Sequence, residues 1–165
     1  MQFKTVEYDA LIGQFATRKF TKNDIKSFVH RVFSMYERAT VGIQRVEAKA
    51  FHDLIDENIH VDFPDYQIRN REEFFTWHRW IHDLLVSDDH DVTNVDVLYL
   101  SNGKYEVRFD VRWRGEFKDG TYTDLALEQR WILYDSEQFD HPVIERYAAA
   151  VKDVMPGMTA SEADK

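Results

Sequence analysis

The sequence lacks cysteine and has little glycine or proline: among 165 residues there are six glycines and three prolines. Without cysteine there are no disulfides, no thiolate zinc sites and no cysteine nucleophile. A cysteine-free chain also suits a reducing compartment, so we expect a cytoplasmic protein. No run of about 18 apolar residues is present, which argues against a membrane-spanning helix and a membrane partner.

Positive charge is also scarce. The chain has 21 Lys and Arg against 30 Asp and Glu, a net charge of −9. Nucleic-acid binding needs a basic surface, so no nucleic-acid partner is expected. The 44% hydrophobic content is ample for a packed core. We expect an N-terminal arm over 1–20, one domain over 21–150 and a flexible C-terminal tail over 151–165.

Helical signals occupy the first half of the chain. Thr21, followed by Asp24, predicts the start of a helix whose apolar residues then recur with a period of 3.6. A shorter helix is predicted over about 45–55. Asn70 and Glu73 form a capping-box pattern that predicts a third helix. Its inward face contains Phe, Trp and His. The predicted inward residues are Phe74, Trp77, His78, Ile81 and Leu85.

The second half alternates with a period of two, which is typical of antiparallel strands. Asn102-Gly103 predicts a two-residue hairpin turn, and Asp119-Gly120 predicts a second hairpin. Helices followed by a curling antiparallel sheet indicate an α+β domain.

The hairpin turns predict which side chains share a face. A two-residue first turn places Asp96 beside Phe109 and Asn94 beside Val111, on the face toward the helices. In the second hairpin, a three-residue loop pairs opposite charges on the outer face and brings Gln129 to the inner one. The predicted inner wall therefore combines three polar groups with apolar residues, among them Val111, Trp113 and Trp131. This composition is typical of a small-ligand site.

Asp96 is the first candidate for acid/base catalysis, because an apolar cavity favours the neutral carboxyl that proton transfer near neutral pH requires. The alternative is a structural Asp bonded to the backbone. Asn94 and Gln129 are candidates for binding a ligand carbonyl or stabilising an enolate. Equally, they could hydrogen-bond each other.

His78 is a second acid/base candidate, since imidazole titrates near neutrality; the alternative is a core histidine. Trp77, Trp113, Trp131 and Val111 are either core residues or the walls against which a flat ligand stacks. His78 and His82 have a spacing that can hold a metal. The glutamate of the HExxH motif is absent between them, so no metal site is expected.

The stretch AFHDLIDENIHVDFPDYQIRNREEFFTWHRW resembles the NTF2-like superfamily, and within it the SnoaL-like and ketosteroid-isomerase-like proteins. The resemblance implies a cone, in which a bent sheet wraps around three N-terminal helices and leaves a pocket at the open end. It matches Tyr36 to a tyrosine that donates to a substrate oxygen. The position of the family's catalytic carboxylate is Phe63 here, and strand alternation turns Asp62 away from it.

The resemblance and the inner wall together predict a small-molecule-binding protein and favour an isomerase, cyclase or dehydratase that needs no cofactor. Its substrate would be a hydrophobic cyclic molecule. The resemblance also implies a homodimer formed through the outer face of the sheet, where a ladder of alternating charges is predicted. The alternative function is a non-catalytic ligand-binding or association domain, such as the small subunit of a ring-hydroxylating dioxygenase.

Overall fold

The computed structural model describes residues 18–39 and 46–154. Its helices and strands follow the predicted order, helices first and long strands afterwards. In chain order the elements are α1 (Lys22–Glu37), a 3₁₀ helix (Ala48–Leu54), β1 (Ile55–Phe63), β2 (Tyr66–Ile68), α2 (Arg71–Leu84), β3 (Leu85–Tyr99), β4 (Tyr105–Phe117), β5 (Tyr122–Tyr134) and β6 (Val143–Val154). Within the described ranges, no helix is long and apolar enough to cross a membrane.

Both α-helices begin at the predicted caps. The Thr21 side chain accepts a hydrogen bond from the Asp24 N–H, while the Asp24 side chain accepts one from the Thr21 N–H. At α2, the Asn70 side chain accepts from the Glu73 N–H over 2.9 Å. These bonds satisfy N–H groups that the first helical turn leaves without a partner.

The six strands form one open, curved sheet in the order β2-β1-β6-β5-β4-β3. Among the strands of the described residues, only β1 and β6 pair in parallel. One face of the sheet packs against the helices, and the core between them is rich in aromatic residues. Trp131 is fully buried at its centre, stacked on Phe33 of α1 with the ring centroids 5.6 Å apart. The predicted α+β cone is confirmed.

The β3–β4 hairpin has a longer turn than predicted. The Leu100 N–H donates to the Lys104 carbonyl over 2.9 Å, so the loop contains three residues rather than two. Gly103 in this loop has φ 85°, which glycine adopts without steric cost. The longer loop shifts the pairing by one residue, so that Val97 and Tyr99 point toward the helices.

A bulge then shifts the pairing of β3 by one further residue, between Thr93 and Asp96. Asn94 lies there with φ 55°. The bulge reverses the alternation, so that Val92 on one side of it and Val97 on the other both face inward. Asn94 and Asp96 are exposed on the outer face. The predicted placement of these two side chains in the inner wall is therefore wrong.

The β4–β5 hairpin has the predicted three-residue loop, but its pairs lie two residues away from the predicted ones. Phe109 is opposite Gln129 rather than Trp131, and Trp113 is opposite Leu125. Because side chains alternate with a period of two, a shift of two residues leaves each one on its predicted face. Gln129 is accordingly buried on the inner side, 4% exposed.

The outer face of the sheet carries the predicted charged residues. Glu106 is buried there and accepts hydrogen bonds from Arg130 and, over 3.1 Å, from Arg108. Arg112 binds both carboxylate oxygens of Asp124, at 3.0 and 2.8 Å. Since these charges are matched within one chain, they satisfy one another without a second copy. A homodimer through this face stays a prediction.

The described part of the predicted arm, residues 18–20, packs on the end of the sheet remote from the β4–β5 turn. The Phe20 N–H donates to the Tyr105 hydroxyl over 3.1 Å, and Arg18 lies over the rings of Tyr99 and Tyr105. The rest of the arm is outside the described residues. At the other end of the chain, β6 continues to Val154 and so includes the start of the predicted tail; the remainder of that tail also lies outside the described residues.

Candidate functional site

An apolar cavity of about 220 Å³ lies between the helices and the inner face of the sheet. A cavity of about 150 Å³ is enough to bind benzene, so this one has room for a molecule of one or two rings. Most of its wall is aromatic or aliphatic. The lining residues are Phe33, Tyr36, Phe63, Pro64, Asp65, Tyr66, Trp77, Trp80, Ile81, His82, Leu85, Asp88, His90, Trp113, Leu125, Leu127, Gln129, Tyr147, Ala149 and Val151.

Four of the nine predicted site residues line this cavity: Tyr36, Trp77, Trp113 and Gln129. Three others are buried but lie outside the lining. Trp131 and Val111 belong to the core beneath the wall, and His78 packs on Phe51 with the ring centroids 4.9 Å apart.

The two remaining predicted residues are on the opposite side of the sheet. Asn94 donates its side-chain N–H to Asp110 over 2.8 Å, a bond that lowers the pKa of the Asp110 carboxyl. Asp96 is paired with Arg108 in the strand register. Both side chains are separated from the cavity by the thickness of the sheet.

His82, one helical turn after His78, is the histidine of α2 that reaches the cavity. Its Nδ1 lies 2.8 Å from the carbonyl oxygen of His78, and its Nε2 lies 3.3 Å from Oδ2 of Asp88. The side chains of His82 and Asp88 are 4% and 3% exposed. The other oxygen of Asp88 accepts the indole N–H of Trp113 over 2.6 Å. His82 is thus a buried residue of the cavity wall.

A second histidine, His90, lies on the same wall and is held from two sides. Its backbone N–H donates to Oε1 of Glu37 over 2.7 Å, and its ring Nδ1 is 3.5 Å from the same oxygen. On the other side, its Nε2 is 3.7 Å from Oδ1 of Asp88. The ring packs on Phe33 with the centroids 5.0 Å apart. Glu37 is the last residue of α1, where the helix dipole disfavours a carboxylate, so this contact offsets an unfavourable position.

The wall also contains a chain of hydrogen bonds that runs from Trp131 through Gln129 to Tyr147. Trp131 donates its indole N–H to the side-chain oxygen of Gln129 over 3.1 Å, which leaves the amide N–H groups of Gln129 to face elsewhere. Burial raises the pKa of Tyr147, while hydrogen bonds from Tyr36 and Gln129 to its oxygen act in the opposite direction. Burial also raises the pKa of Tyr36. Both phenols are therefore neutral hydrogen-bond donors at neutral pH.

One cavity is lined by two tyrosines and two histidines: Tyr36, Tyr147, His82 and His90. The ring centroid of Tyr36 is 6.2 Å from those of His82 and His90. A ligand in this space would meet acid/base groups on one side and phenol donors on the other. Among the residues described, no three His, Cys, Asp or Glu side chains are grouped so as to hold a metal ion.

Sequence comparison identifies no relative: neither a family model nor a curated protein matches. Structural comparison does. A protein of unknown function with a cystatin-like fold from Caulobacter vibrioides superposes with a TM-score of 0.64 at 7% identity, covering 79% of this chain and 89% of the other. The chain has the NTF2-like, or cystatin-like, fold. The fold implied by the sequence resemblance is thereby confirmed.

Two other NTF2-like structures come from Novosphingobium aromaticivorans. A candidate aromatic ring hydroxylase has a TM-score of 0.68 at 16% identity, covering 86% of this chain and 95% of the other. A candidate scytalone dehydratase has a TM-score of 0.61 at 13% identity, covering 84% and 91%. At these identities the likeness concerns the fold alone, so function must be argued from the cavity.

The sequence analysis missed four residues of the site: Glu37, Asp88, His90 and Tyr147. Asp88 and His90 lie in β3, because α2 leads directly into that strand at Leu85. A signal for them was present in the sequence, because Asp88, His90 and Val92 alternate with acidic or polar neighbours and so fit a strand with one buried face. Nothing in the local sequence distinguishes Tyr147 from a core tyrosine.

Proposed function

We propose that this protein is an acid/base enzyme, of the isomerase, cyclase or dehydratase kind, acting without a cofactor on a planar cyclic ketone. The observation that carries the proposal is His90, held between the carboxylates of Glu37 and Asp88 on the wall of an apolar cavity. A histidine oriented by a carboxylate is the usual form of a general base, and removing such a base costs about 100- to 10,000-fold in rate.

The size and composition of the cavity define the substrate class. About 220 Å³ of mostly aromatic wall suits a flat molecule of one or two rings. The few polar groups must then face the substituents of that ring. Tyr147 keeps its own hydrogen available, since Tyr36 and Gln129 donate to its oxygen. It is the donor we assign to the substrate carbonyl.

In the proposed reaction, Nε2 of His90 removes a proton from the carbon next to the carbonyl. The electrons of the C–H bond move toward the carbonyl oxygen and form an enolate. Tyr147 stabilises the charge that develops on this oxygen, supported by Tyr36 and Gln129. A single donor of this kind typically contributes about 100- to 1,000-fold to the rate. Oε1 of Glu37 lies 3.5 Å from Nδ1 of His90, and this negative charge favours the tautomer with the hydrogen on Nδ1 and the lone pair on Nε2.

The test uses β-tetralone, a bicyclic ketone with exchangeable α-hydrogens. Its binding is measured first by thermal shift, because a ligand that binds only the folded state stabilises it by about 2.7 kcal/mol at 100 times its dissociation constant. Exchange of the α-hydrogens in heavy water is then followed by NMR. We expect exchange above the buffer rate, an approximately 100-fold or greater loss in His90→Asn, and a similar loss in Tyr147→Phe.

His60→Asn is the matched control, since His60 is exposed on β1 and outside the cavity lining. Its exchange rate should equal that of the wild type. Tight binding of the ketone without any exchange above buffer would contradict catalysis and favour the ligand-binding module. No binding of β-tetralone or of related cyclic ketones would contradict the proposed substrate class and favour an association domain.

A further inference from the structure

The lining of the cavity reaches the surface at two exposed aromatic side chains. Tyr66 and Trp80 are 42% and 52% exposed, although both belong to the cavity wall. Their rings are stacked, with the planes 11° from parallel and the centroids 6.3 Å apart. Single apolar residues are common on protein surfaces, whereas an exposed stacked pair beside an apolar cavity indicates a surface that a ligand covers.

The turn between β1 and β2 sets Tyr66 at the mouth of the cavity. Phe63 pairs with Tyr66, so the turn contains two residues, Pro64 and Asp65. A proline followed by a residue of positive φ fits a type II turn, and Asp65 has φ 59°. Opposite residues of a strand pair share a face, so Tyr66 lies on the same face as Phe63, which also lines the cavity.

An aromatic path connects the mouth to the buried end of the cavity. Phe63 contacts buried Tyr147, with the ring centroids 5.4 Å apart, and Trp77 of α2 at 4.9 Å. Phe63 and Trp77 are half-buried. Trp80 follows Trp77 by three residues, which is a neighbouring position on the helix surface. Exposure therefore increases along the path, and the stacked pair of Tyr66 and Trp80 is its outer end.

Charge limits what the mouth accepts. Asp65 is exposed there, and among the described residues that line the cavity none is a Lys or an Arg. An anionic group at the mouth would meet a like charge with no cation beside it. A neutral or cationic flat group fits, since the faces of aromatic rings also attract cations.

We propose that Tyr66 and Trp80 form a second binding subsite, which holds a flat, neutral or cationic group of the ligand outside the cavity. This inference rests on the proposed function and deepens it, because the carbonyl bound at Tyr147 fixes which end of the ligand points outward. The substrate is then longer than the cavity. Its ketone ring lies inside, and an aromatic substituent on the side remote from the carbonyl stacks on the exposed pair.

The first test compares β-tetralone with 6-phenyl-β-tetralone, which carries a further ring on the side remote from the carbonyl. Isothermal titration calorimetry measures both dissociation constants. In the wild type we expect the phenyl probe to bind about tenfold tighter, the usual contribution of an aromatic contact. Trp80→Ser should abolish most of this ratio, and Tyr66→Ser should lower it. The control is Tyr122→Ser, which removes a ring that is 61% exposed and outside the cavity lining. It should keep the ratio of the wild type.

Trp80→Phe separates a direct contact from a structural effect. Phenylalanine keeps an aromatic face, so the ratio of the two dissociation constants should stay close to that of the wild type. A bromine atom on the phenyl group of the probe quenches the fluorescence of an indole in contact with it. We expect less quenching in Trp80→Phe than in the wild type, although the probe still binds.

A third probe tests the charge preference. A carboxylate on the far end of the phenyl group should weaken binding, and Asp65→Asn should recover about two- to fivefold, the range of exposed charge pairs. The phenyl probe itself should bind Asp65→Asn and the wild type alike. Glu57→Gln is the control, since Glu57 is an exposed acid of β1 outside the cavity lining. No recovery in Asp65→Asn would overturn the charge preference.

The outcomes distinguish the subsite from the proposed function. If the wild type binds β-tetralone but the phenyl probe no tighter, or if Trp80→Ser keeps the full ratio, the subsite is overturned and the proposed function stands. A dimer of the wild type that dissociates in Trp80→Ser would show that a second copy covers the pair, which also overturns the subsite. Binding of neither probe would overturn the proposed substrate class and the subsite together.

Discussion

Trp131 and Gln129 lie two residues apart on one face of β5, and the indole N–H of the first donates to the amide oxygen of the second over 3.1 Å. This contact couples the core to the cavity. It fixes the orientation of a buried amide whose N–H groups then support Tyr147. The polar side chain of Gln129 is tolerated in this apolar wall because its amide oxygen and its N–H groups have hydrogen-bond partners.

Replacing Gln129 should therefore destabilise the fold. Gln129→Leu leaves the buried Trp131 N–H without an acceptor, and we expect a loss of about 1–3 kcal/mol in the free energy of unfolding. Urea denaturation measures it. Glu128→Gln, on the exposed side of the same strand, should change stability by less than about 0.5 kcal/mol. Equal effects of the two substitutions would contradict the assigned role of Gln129.

We predict that the bulge at Asn94 determines on which face of β3 the side chain of His90 lies. Its φ of 55° lies in the left-handed region, which glycine adopts freely and β-branched residues strongly avoid. Asn94→Val should cost about 1–2 kcal/mol in this conformation. Asn94→Gly should be better tolerated, although it loses the bond to Asp110. Equilibrium unfolding of the two variants compares them, and a Val variant as stable as the Gly variant would contradict the bulge.

Deleting Asn94 tests the same bulge through ligand binding. Without the additional residue, β3 can keep Val97 in the core only by turning the stretch that contains Asp88 and His90 to the outer face. We expect the deletion variant to lose binding of β-tetralone. Retained binding, with the midpoint shift of the wild type, would mean that the bulge does not position this stretch.

Filling the cavity should separate ligand binding from stability. Ala149 lines the cavity on β6, while Ala150 points to the outer face. Ala149→Leu places three further carbon atoms in the cavity. We expect it to abolish the thermal shift caused by β-tetralone while the protein stays folded. Ala150→Leu is the matched control and should bind as the wild type does. Loss of binding in both variants would place the ligand elsewhere.

Stability should fall at alkaline pH because of the buried phenols. Burial raises the pKa of Tyr36 and Tyr147 in the folded protein, whereas in the unfolded chain tyrosine ionises near pH 10. Above about pH 10 the unfolded state therefore binds fewer protons, and each phenol lowers the free energy of unfolding by about 1.4 kcal/mol per pH unit. Below about pH 10 this contribution is constant.

Tyr147→Phe removes one of these phenols. Above about pH 10, the free energy of unfolding should therefore fall less steeply with pH, by about 1.4 kcal/mol per pH unit. Urea denaturation at several pH values between about 8 and 11 measures the slope. Tyrosinate absorbance from Tyr147 in the folded protein near pH 10, identified by its loss in Tyr147→Phe, would contradict the raised pKa.

Much of the fold was predictable because it depends on local signals. The helix starts at Thr21 and Asn70 follow from capping side chains, and the inward face of β4 follows from strict alternation. The site was less predictable. Gln129 was placed correctly because an error of two residues preserves the face of a strand. Asp96 was placed wrongly because an error of one residue reverses it.

The sequence by itself determined the α+β order, the helix boundaries at their caps, the charged outer face and the abundance of aromatic residues for an inner wall. These follow from side-chain periodicity and capping, which act over a few residues. Only the tertiary structure decided that Asp88, His90 and Tyr147 meet around one cavity, with Glu37 bonded to His90 behind the wall. They come from α1, β3 and β6, which are far apart in the chain. The bulge at Asn94, stabilised by a left-handed backbone conformation and a hydrogen bond to Asp110, determines which side chains of β3 face the cavity.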